Sequence, residues 1–163
     1  YKLGLHHLDI DSLRYLTQAG GRLSSNIISS IAEFCASSKK EFFVMYGQTE
    51  ASPRLSYLNP TKVIEKPSSI GGAIPGGRFE LHTSDGGVIT TPNVEGELIY
   101  FGDNVCLGYA KNSQDLIKPD EFLGVLHTGD VAKFDMDGDF YITGRLKRFI
   151  KLFGLGMNLA QIE

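Results

Sequence analysis

The stretch Glu41-Phe42-Phe43-Val44-Met45-Tyr46-Gly47-Gln48-Thr49-Glu50 decides how the whole chain is interpreted. Its apolar run, residues 42–45, predicts a buried strand. The run leads directly into residues 46–50, where an aromatic ring, a glycine, a hydroxyl and a carboxylate occur together. Because open α/β sheets bind ligands at the carboxyl ends of parallel strands, we expect a ligand site in residues 46–50.

The side chains of this motif suit a nucleotide. Tyr46 offers a flat face to a base, and Gly47 lets the backbone approach a ligand closely. Thr49 can hydrogen-bond a phosphate, and Glu50 supplies a hard oxygen for Mg²⁺. A strand end with a polar turn has the same composition, so the motif alone leaves both interpretations open.

Length and composition exclude several classes of protein. A chain of 163 residues can bury one good core or two small ones, and 42% apolar with 21% charged residues is ordinary for a globular protein. The net charge of −3 gives no reason to expect binding to nucleic acid or a membrane surface. No apolar run is long enough to span a bilayer. Cys35 and Cys106 lack metal-ligand neighbours, which favours reduced core thiols in a cytoplasmic protein.

The residues before the motif predict a βαβ unit. Residues 13–16 form a short apolar run, Gly20 and Gly21 mark a turn, and Ser24 or Ser25 can cap a helix. Parallel strands joined by a helix place both of their following loops at one edge of the sheet. The apolar face of the helix recurs at helical spacing and comprises Ile27, Ile28, Ile31, Phe34 and Cys35.

After Pro60 the apolar period changes to two, with glycine-rich turns between short runs, which predicts a small antiparallel sheet or barrel. Residues 125–130 predict a strand that ends in a tight polar turn, where Asp130 could accept hydrogen bonds from two adjacent hydroxyls, as on a ribose. Residues 134–143 predict a hairpin, and residues 158–163 the start of a helix. The glycine runs are interpreted as turns, because no strand-to-helix transition follows them.

Five blocks in this order make the chain resemble the adenylate-forming superfamily, which includes acyl-CoA synthetases, peptide-synthetase adenylation domains and luciferases. They cover nearly the whole chain, which is far more specific than any single block. The blocks are Tyr46-Gly47-Gln48-Thr49-Glu50; Ser69-Ile70-Gly71-Gly72-Ala73-Ile74-Pro75-Gly76; Gly96-Glu97-Leu98 with Gly102 and Gly108-Tyr109; Thr128-Gly129-Asp130; and Gly144-Arg145 through Lys151, Gly154 and Ile162-Glu163.

The resemblance implies a role for individual positions around a nucleotide. Gly20 and Gly21 match the loop beside the adenine, and Tyr46 matches the aromatic residue that stacks on it. Thr49 matches the phosphate contact, and Glu50 matches the Mg²⁺ ligand. Gly47 belongs to the same nucleotide-binding loop.

Four further positions match the second half of the family's site. Asp130 matches the residue that holds the ribose hydroxyls, with Arg145 nearby. Lys147 matches the hinge about which the small C-terminal domain rotates between two half-reactions. Gly154 matches the glycine that lines the path of a pantetheine thiol.

The implied fold class is α/β. The chain would hold part of the α/β layer of the large N-terminal domain in residues 1–58 and a small antiparallel β-barrel subdomain in residues 59–144. The hinge and the start of the small C-terminal domain would occupy residues 145–163.

The implied activity is that of an ATP-dependent carboxylate ligase. A carboxylic acid reacts with ATP to give an acyl-adenylate, and the acyl group passes to a thiol of coenzyme A or of a carrier protein. ATP or AMP, Mg²⁺ and coenzyme A are the implied cofactors. The acyl substrate is not specified by these residues.

Two features of the family are missing from the chain. The family's phosphate loop would precede Tyr1, and its C-terminal lysine would follow Glu163, so we expect residues 1–163 alone to be inactive. The alternative is a non-catalytic relative or an isolated binding module that keeps the fold. The complete set of Thr49, Glu50, Asp130 and Arg145 favours the enzyme.

Overall fold

The computed structural model describes residues 10–146 and the backbone of two further strands, 149–152 and 155–158. The predictions for Lys147 and Gly154 fall outside these residues. Among the helices that are described, none has both the length and the apolar character needed to cross a membrane.

The first half of the chain forms the predicted βαβ unit. Strand β1 (Tyr15–Gln18) runs parallel to β2 (Glu41–Tyr46), and helix α1 (Ser25–Ser37) connects them. Strand β1 begins two residues later than the apolar run predicts. The reason is a turn in which the amide of Leu13 donates to the carbonyl of Ile10, so that pairing starts with Tyr15 opposite Glu41.

Helix α1 buries one face against the sheet. Ser24 is its extended N-cap residue, and Ile28, Ala32 and Cys35 are buried at helical spacing. Ile27 was predicted on the same face but is 37% exposed, because it lies one residue away from this stripe. The stripe packs on a core that also contains Phe42, Val44, Leu58 and Val63.

Two short strands extend this first sheet. Strand β3 (Ser56–Leu58) pairs antiparallel with β2, and β4 (Gly72–Ala73) pairs antiparallel with β3. The strand order is therefore β1-β2-β3-β4. Short 3₁₀ helices lie at Thr49–Ala51 and Pro60–Lys62. The expected boundary at Asn59 stays a prediction, and β4 lies beyond it.

The predicted antiparallel sheet follows. Its five strands are β5 (Arg78–His82), β6 (Val88–Ile89), β7 (Gly96–Phe101), β8 (Val125–Phe134) and β9 (Phe140–Arg145). They lie in the order β6-β5-β7-β8-β9. Tyr100, Leu126 and Ala132 are among the buried side chains between this sheet and its neighbours. A 3₁₀ helix, Ser113–Ile117, lies in the long β7–β8 connection.

Strand β8 does not end at Asp130 as predicted but continues for four more residues. Its register against β7 shifts between His127 and Val131, so the predicted turn is a bulge inside the strand. Gly129 has φ +68°, a conformation that favours glycine. The hydroxyl of Thr128 donates to the carbonyl of Leu98 at 2.7 Å and accepts from the amide of Asp130 at 3.1 Å. These bonds keep the bulged residues attached to the sheet.

The hairpin between β8 and β9 agrees with the sequence prediction and turns at Asp137 and Gly138. Strands β10 (Phe149–Leu152) and β11 (Leu155–Asn158) form a separate antiparallel pair. Asn158 was predicted to begin a helix, but it ends β11, where its backbone pairs with Phe149. The other residues of that predicted helix are not described.

Candidate functional site

The loops after β1 and β2 leave the same edge of the first sheet, as predicted, because these strands are parallel and Gln18 pairs with Val44. Gly20 has φ +85°, which explains the glycine in the first loop. A Cβ atom on Gly20 or Gly21 would meet no heavy atom within 4 Å. This glycine pair therefore borders open space.

The second loop returns on itself directly after β2. The amide of Leu55 donates to the carbonyl of Tyr46 at 3.0 Å and closes the loop. A Cβ on Gly47 would lie 1.6 Å from the carbonyl oxygen of Pro53. Glycine at position 47 is thus required by contact within the loop itself.

The Asp130 carboxylate is the centre of a buried polar network. Asp130 is 4% exposed. One of its oxygens, Oδ2, accepts hydrogen bonds from the Tyr46 hydroxyl at 2.6 Å and from Gln48 Nε2 at 3.0 Å. The other, Oδ1, accepts from Arg145 Nε at 2.6 Å. Tyr46 ends β2 of the first sheet and Gln48 lies in the loop after it, whereas Asp130 and Arg145 belong to the second sheet. The network therefore joins the two sheets.

The surroundings of the two donors Tyr46 and Arg145 favour their protonated forms. Burial raises the pKa of Tyr46, and the nearby Asp130 carboxylate raises it further. The Tyr46 hydroxyl therefore remains a donor at neutral pH. The hydrogen bond to Asp130 and the negative charge of that group raise the pKa of Arg145, which stays a cation. The side chain of Arg145 is 55% exposed, so it remains accessible to solvent.

Glu50 lies in the 3₁₀ helix of the same loop, next to the exposed Thr49. The Tyr109 hydroxyl donates to Glu50 Oε1 at 2.7 Å, and this bond lowers the pKa of the carboxyl group. The amide of Cys106 also donates to the Glu50 carbonyl at 2.7 Å. The hydrogen bond from Tyr109 and one from the backbone amide of Glu50 itself both lower the pKa of this carboxyl group, which favours its ionised form.

A cavity of about 500 Å³ is lined by residues of the loop after β1, of β8 and β9 and of the turn between them, among them Asp135 and Tyr141, and by none of the predicted site residues that the structure describes. Its lining includes Arg22, which follows the glycine pair, and Thr143, two residues before Arg145. Lys133 contributes a second cation to the lining. The volume is in the range that small-molecule sites occupy.

Within the described residues, one acidic cluster has the spacing of a metal site, and it is occupied by a side chain of the protein. Asp135, Asp137 and Asp139 bring carboxylate oxygens within 4.8 Å of one another. The Lys66 Nζ donates to all three, at 2.8, 2.6 and 2.7 Å. Lys66 provides the positive charge that the cluster requires.

Comparison with known proteins decides the family. Residues 2–110 match the family model described as AMP-binding enzyme. The chain belongs to the AMP-binding enzyme family. This assignment agrees with the resemblance seen in the five sequence blocks.

Individual members of the AMP-binding enzyme family match almost the whole chain. Luciferin 4-monooxygenase of Photuris pensylvanica is 33% identical over 163 residues, which are 95% of this chain and 28% of the relative. 4-Coumarate–CoA ligase 1 of Glycine max is 27% identical over 162 residues, 98% of this chain and 55% of the relative. The chain therefore spans 28% to 55% of these two relatives.

A solved structure shares both fold and sequence. It is O-succinylbenzoate coenzyme A synthetase from Bacillus subtilis, in complex with ATP and magnesium ion. The TM-score is 0.71 at 26% identity, over 93% of this chain and 30% of that chain. The α/β layer with its antiparallel sheet is thus the architecture of part of an AMP-binding enzyme.

The structure brings together Tyr46, Asp130 and Arg145, while the predicted site residues Gly20, Gly21, Thr49 and Glu50 lie in the two loops at the edge of the first sheet. Two participants had no predicted role. Gln48 was part of the quoted motif, and Tyr109 follows Gly108 in a recognised block. Their only sequence signal was membership of those blocks, because each acts on a residue far away in the chain.

Proposed function

We propose that this chain forms the nucleotide-binding part of an ATP-dependent carboxylate ligase that makes an acyl-adenylate. The buried Asp130 carboxylate, held by donors from both sheets, is the observation that carries the proposal. A buried carboxylate without such partners would be costly, and this one keeps acceptor capacity on Oδ1. Family membership supports AMP as the ligand class.

The ribose would contact Asp130, and the base would lie against Tyr46 and the glycine pair. One hydroxyl of the ribose can donate to Oδ1, where Arg145 is the donor that the structure shows. Tyr46 is partly buried at the carboxyl end of β2, and Gly20 and Gly21 border open space in the neighbouring loop. Thr49 is exposed and would donate to a phosphate oxygen.

Glu50 suits Mg²⁺ because its pKa is lowered, which favours the carboxylate, and carboxylate oxygens are ligands for a hard cation. When bound, Mg²⁺ would neutralise charge on the pyrophosphate leaving group. Glu50 would hold it, and Tyr109 would keep the Glu50 carboxylate in place.

We propose coenzyme A as the acyl acceptor, with a carrier-protein thiol as the alternative. Coenzyme A appears in the names of the plant relative and of the bacterial solved structure. The carboxylic acid substrate belongs to the proposal only as a class. The hinge role of Lys147 and the thiol-path role of Gly154 remain predictions. A cytoplasmic location is also proposed, and it agrees with free Cys35 and Cys106 thiols.

The test is ATP affinity, measured by calorimetry in the full protein with Asp130→Asn and Asp130→Ala. Hydrogen bonds to charged acceptors are worth roughly 1.5–3 kcal/mol each, so we expect a loss of at least about tenfold. The exposed Asp103→Asn is the matched control. An unchanged dissociation constant in both Asp130 variants would remove this residue from the site. Acid-dependent exchange of pyrophosphate into ATP would separate a ligase from a non-catalytic binding protein.

A further inference from the structure

Gln48 makes the contacts that place the Asp130 carboxylate. Its Nε2 lies 2.9 Å from the Thr128 carbonyl, 3.0 Å from Asp130 Oδ2 and 3.3 Å from the Tyr46 hydroxyl. The Thr128 carbonyl can only accept, so the nitrogen of the Gln48 amide is assigned to face it and, with it, the Asp130 oxygen. An amide nitrogen has two hydrogens, and the two shortest contacts use both.

These contacts connect two elements that are far apart in the chain. Gln48 follows β2, whereas Thr128 and Asp130 lie on either side of the Gly129 bulge in β8. The amide therefore bonds the backbone before the bulge and the side chain after it. A side chain that holds both points fixes the direction in which the carboxylate leaves the strand.

The same contacts distinguish the two oxygens of Asp130. Oδ2 accepts from both Tyr46 and Gln48, which uses its two lone-pair directions. Among the residues that the structure describes, Arg145 is the donor to Oδ1, which leaves one lone-pair direction of this oxygen for a ligand. An incoming hydroxyl is thus directed to Oδ1.

We infer that Gln48 is a positioning residue that presents Oδ1 of Asp130 to a ribose hydroxyl and thereby sets the preference for ribonucleotides. This inference rests on the proposed nucleotide-binding function. Glutamate at position 48 would place a second carboxylate against Asp130, and methionine would fill the volume without donating. Both changes remove one donor from Oδ2 and the link to the Thr128 carbonyl, so the Asp130 carboxylate would be held less firmly, by Tyr46 and Arg145.

The experiment compares the affinities of the full protein for ATP, 2′-deoxyATP and 3′-deoxyATP in Gln48→Glu and Gln48→Met. We expect the wild-type protein to bind ATP more tightly than at least one of the two deoxynucleotides. In both variants the ratio of the dissociation constants for that deoxynucleotide and for ATP should fall by about tenfold. A general loss of structure would weaken all three nucleotides together and leave the ratio unchanged. The exposed Gln114, changed to the same two residues, is the matched control.

Thermal unfolding of each variant shows whether it folds. If Gln48→Met does not fold, the isosteric Gln48→Glu still allows the measurement. A wild-type ratio in a folded Gln48 variant would overturn the inference while leaving the proposed function intact. An absence of ATP binding by the wild-type protein would overturn the proposed function and this inference together.

Discussion

Gly47 shows how a single residue determines the shape of the loop after β2. Because Gly47 has no Cβ, the Pro53 carbonyl oxygen can occupy a position only 1.6 Å from where that Cβ would lie. Gly21 is a useful contrast, because a Cβ there meets nothing within 4 Å and its φ is not in the left-handed region. The two glycines therefore have different physical roles.

We predict that Gly47→Ala destabilises the protein by about 1–3 kcal/mol, because backbone atoms must move to relieve the contact. Gly21→Ala should stay within about 1 kcal/mol of wild type, since a methyl group fits there. Chemical denaturation measures both changes. Equal stability of the two variants would show that the loop adjusts without cost at Gly47.

Tyr109 is expected to matter through Glu50. Its hydroxyl lowers the pKa of the Glu50 carboxyl group, so Tyr109→Phe should raise that pKa and let protons compete with Mg²⁺. Residues that orient a metal ligand typically change metal affinity by about tenfold or more. We predict that the Mg²⁺ concentration for half-maximal ATP binding rises by about tenfold in Tyr109→Phe.

The Mg²⁺ concentration that Tyr109→Phe needs should exceed that of wild type by more as pH falls, because protonation of Glu50 begins at a higher pH in the variant. Titrations of Mg²⁺ at several pH values measure this. Tyr57→Phe, on the exposed side of β3, is the control. A Mg²⁺ requirement that is the same in both variants would separate Tyr109 from metal binding.

At the scale of elements, Lys66 fixes the β8–β9 hairpin to the segment after the Pro60–Lys62 helix. Its side chain is 10% exposed and contacts three carboxylates, whereas Lys62 is 37% exposed and contacts Asp139 alone. Burial alone would raise the pKa of Asp135, but hydrogen bonds from Lys66, Tyr141 and backbone amides hold it at about 2.

We predict that Lys66→Ala lowers the melting temperature clearly more than Lys62→Ala, because it leaves Asp135 and Asp137 close together without the cation that bridges them, whereas Asp139 keeps Lys62. The folded pKa of Asp135 lies below its ordinary value of 3.8, so its contribution is present above about pH 4 and disappears as pH falls toward 2. The difference between wild type and Lys66→Ala should therefore narrow over that interval. Thermal unfolding at pH 7, 4 and 3 tests this, and a constant difference would contradict it.

Local patterns predicted the elements whose contacts are local. The βαβ unit follows from helical spacing between two apolar runs, and the hairpin follows from Asp137 and Gly138. Strand β8 was cut short because Gly129 looks like a turn from sequence, whereas pairing with β7 and β9 carries the strand past it. Ile27 was predicted to lie on the buried face of α1, because apolar spacing alone cannot tell which of two adjacent residues at the edge of that face is buried.

The sequence predicted only part of the site, because local patterns do not reveal contacts between residues that are far apart in the chain. Tyr46 and Asp130 are separated by 84 positions, so only the family resemblance connected them before the structure did. The role of Gln48 depends on the Thr128 carbonyl, which becomes available through the bulge in β8. No periodicity in the sequence encodes that contact.

At the scale of the whole molecule, a hinge at Lys147 is a prediction that rests on the family resemblance. We predict that Lys147→Pro in the full protein spares adenylate formation and reduces thioester formation, because proline fixes φ and restricts rotation. Separate assays of pyrophosphate release and of acyl-CoA formation measure the two steps. Equal loss in both steps would argue against a hinge at Lys147.

The division of the Asp130 network between two sheets has a consequence for fragment complementation. A cut at the exposed turn of Asp85 and Gly86 would leave Tyr46 and Gln48 on one piece and Asp130 and Arg145 on the other. Each piece alone would carry either the aromatic donor or its acceptor, and strands β5 and β7 would have to pair again across the cut. Recovery of nucleotide binding would then report reassociation of the two pieces, which makes this turn a rational place to build a split version of the protein.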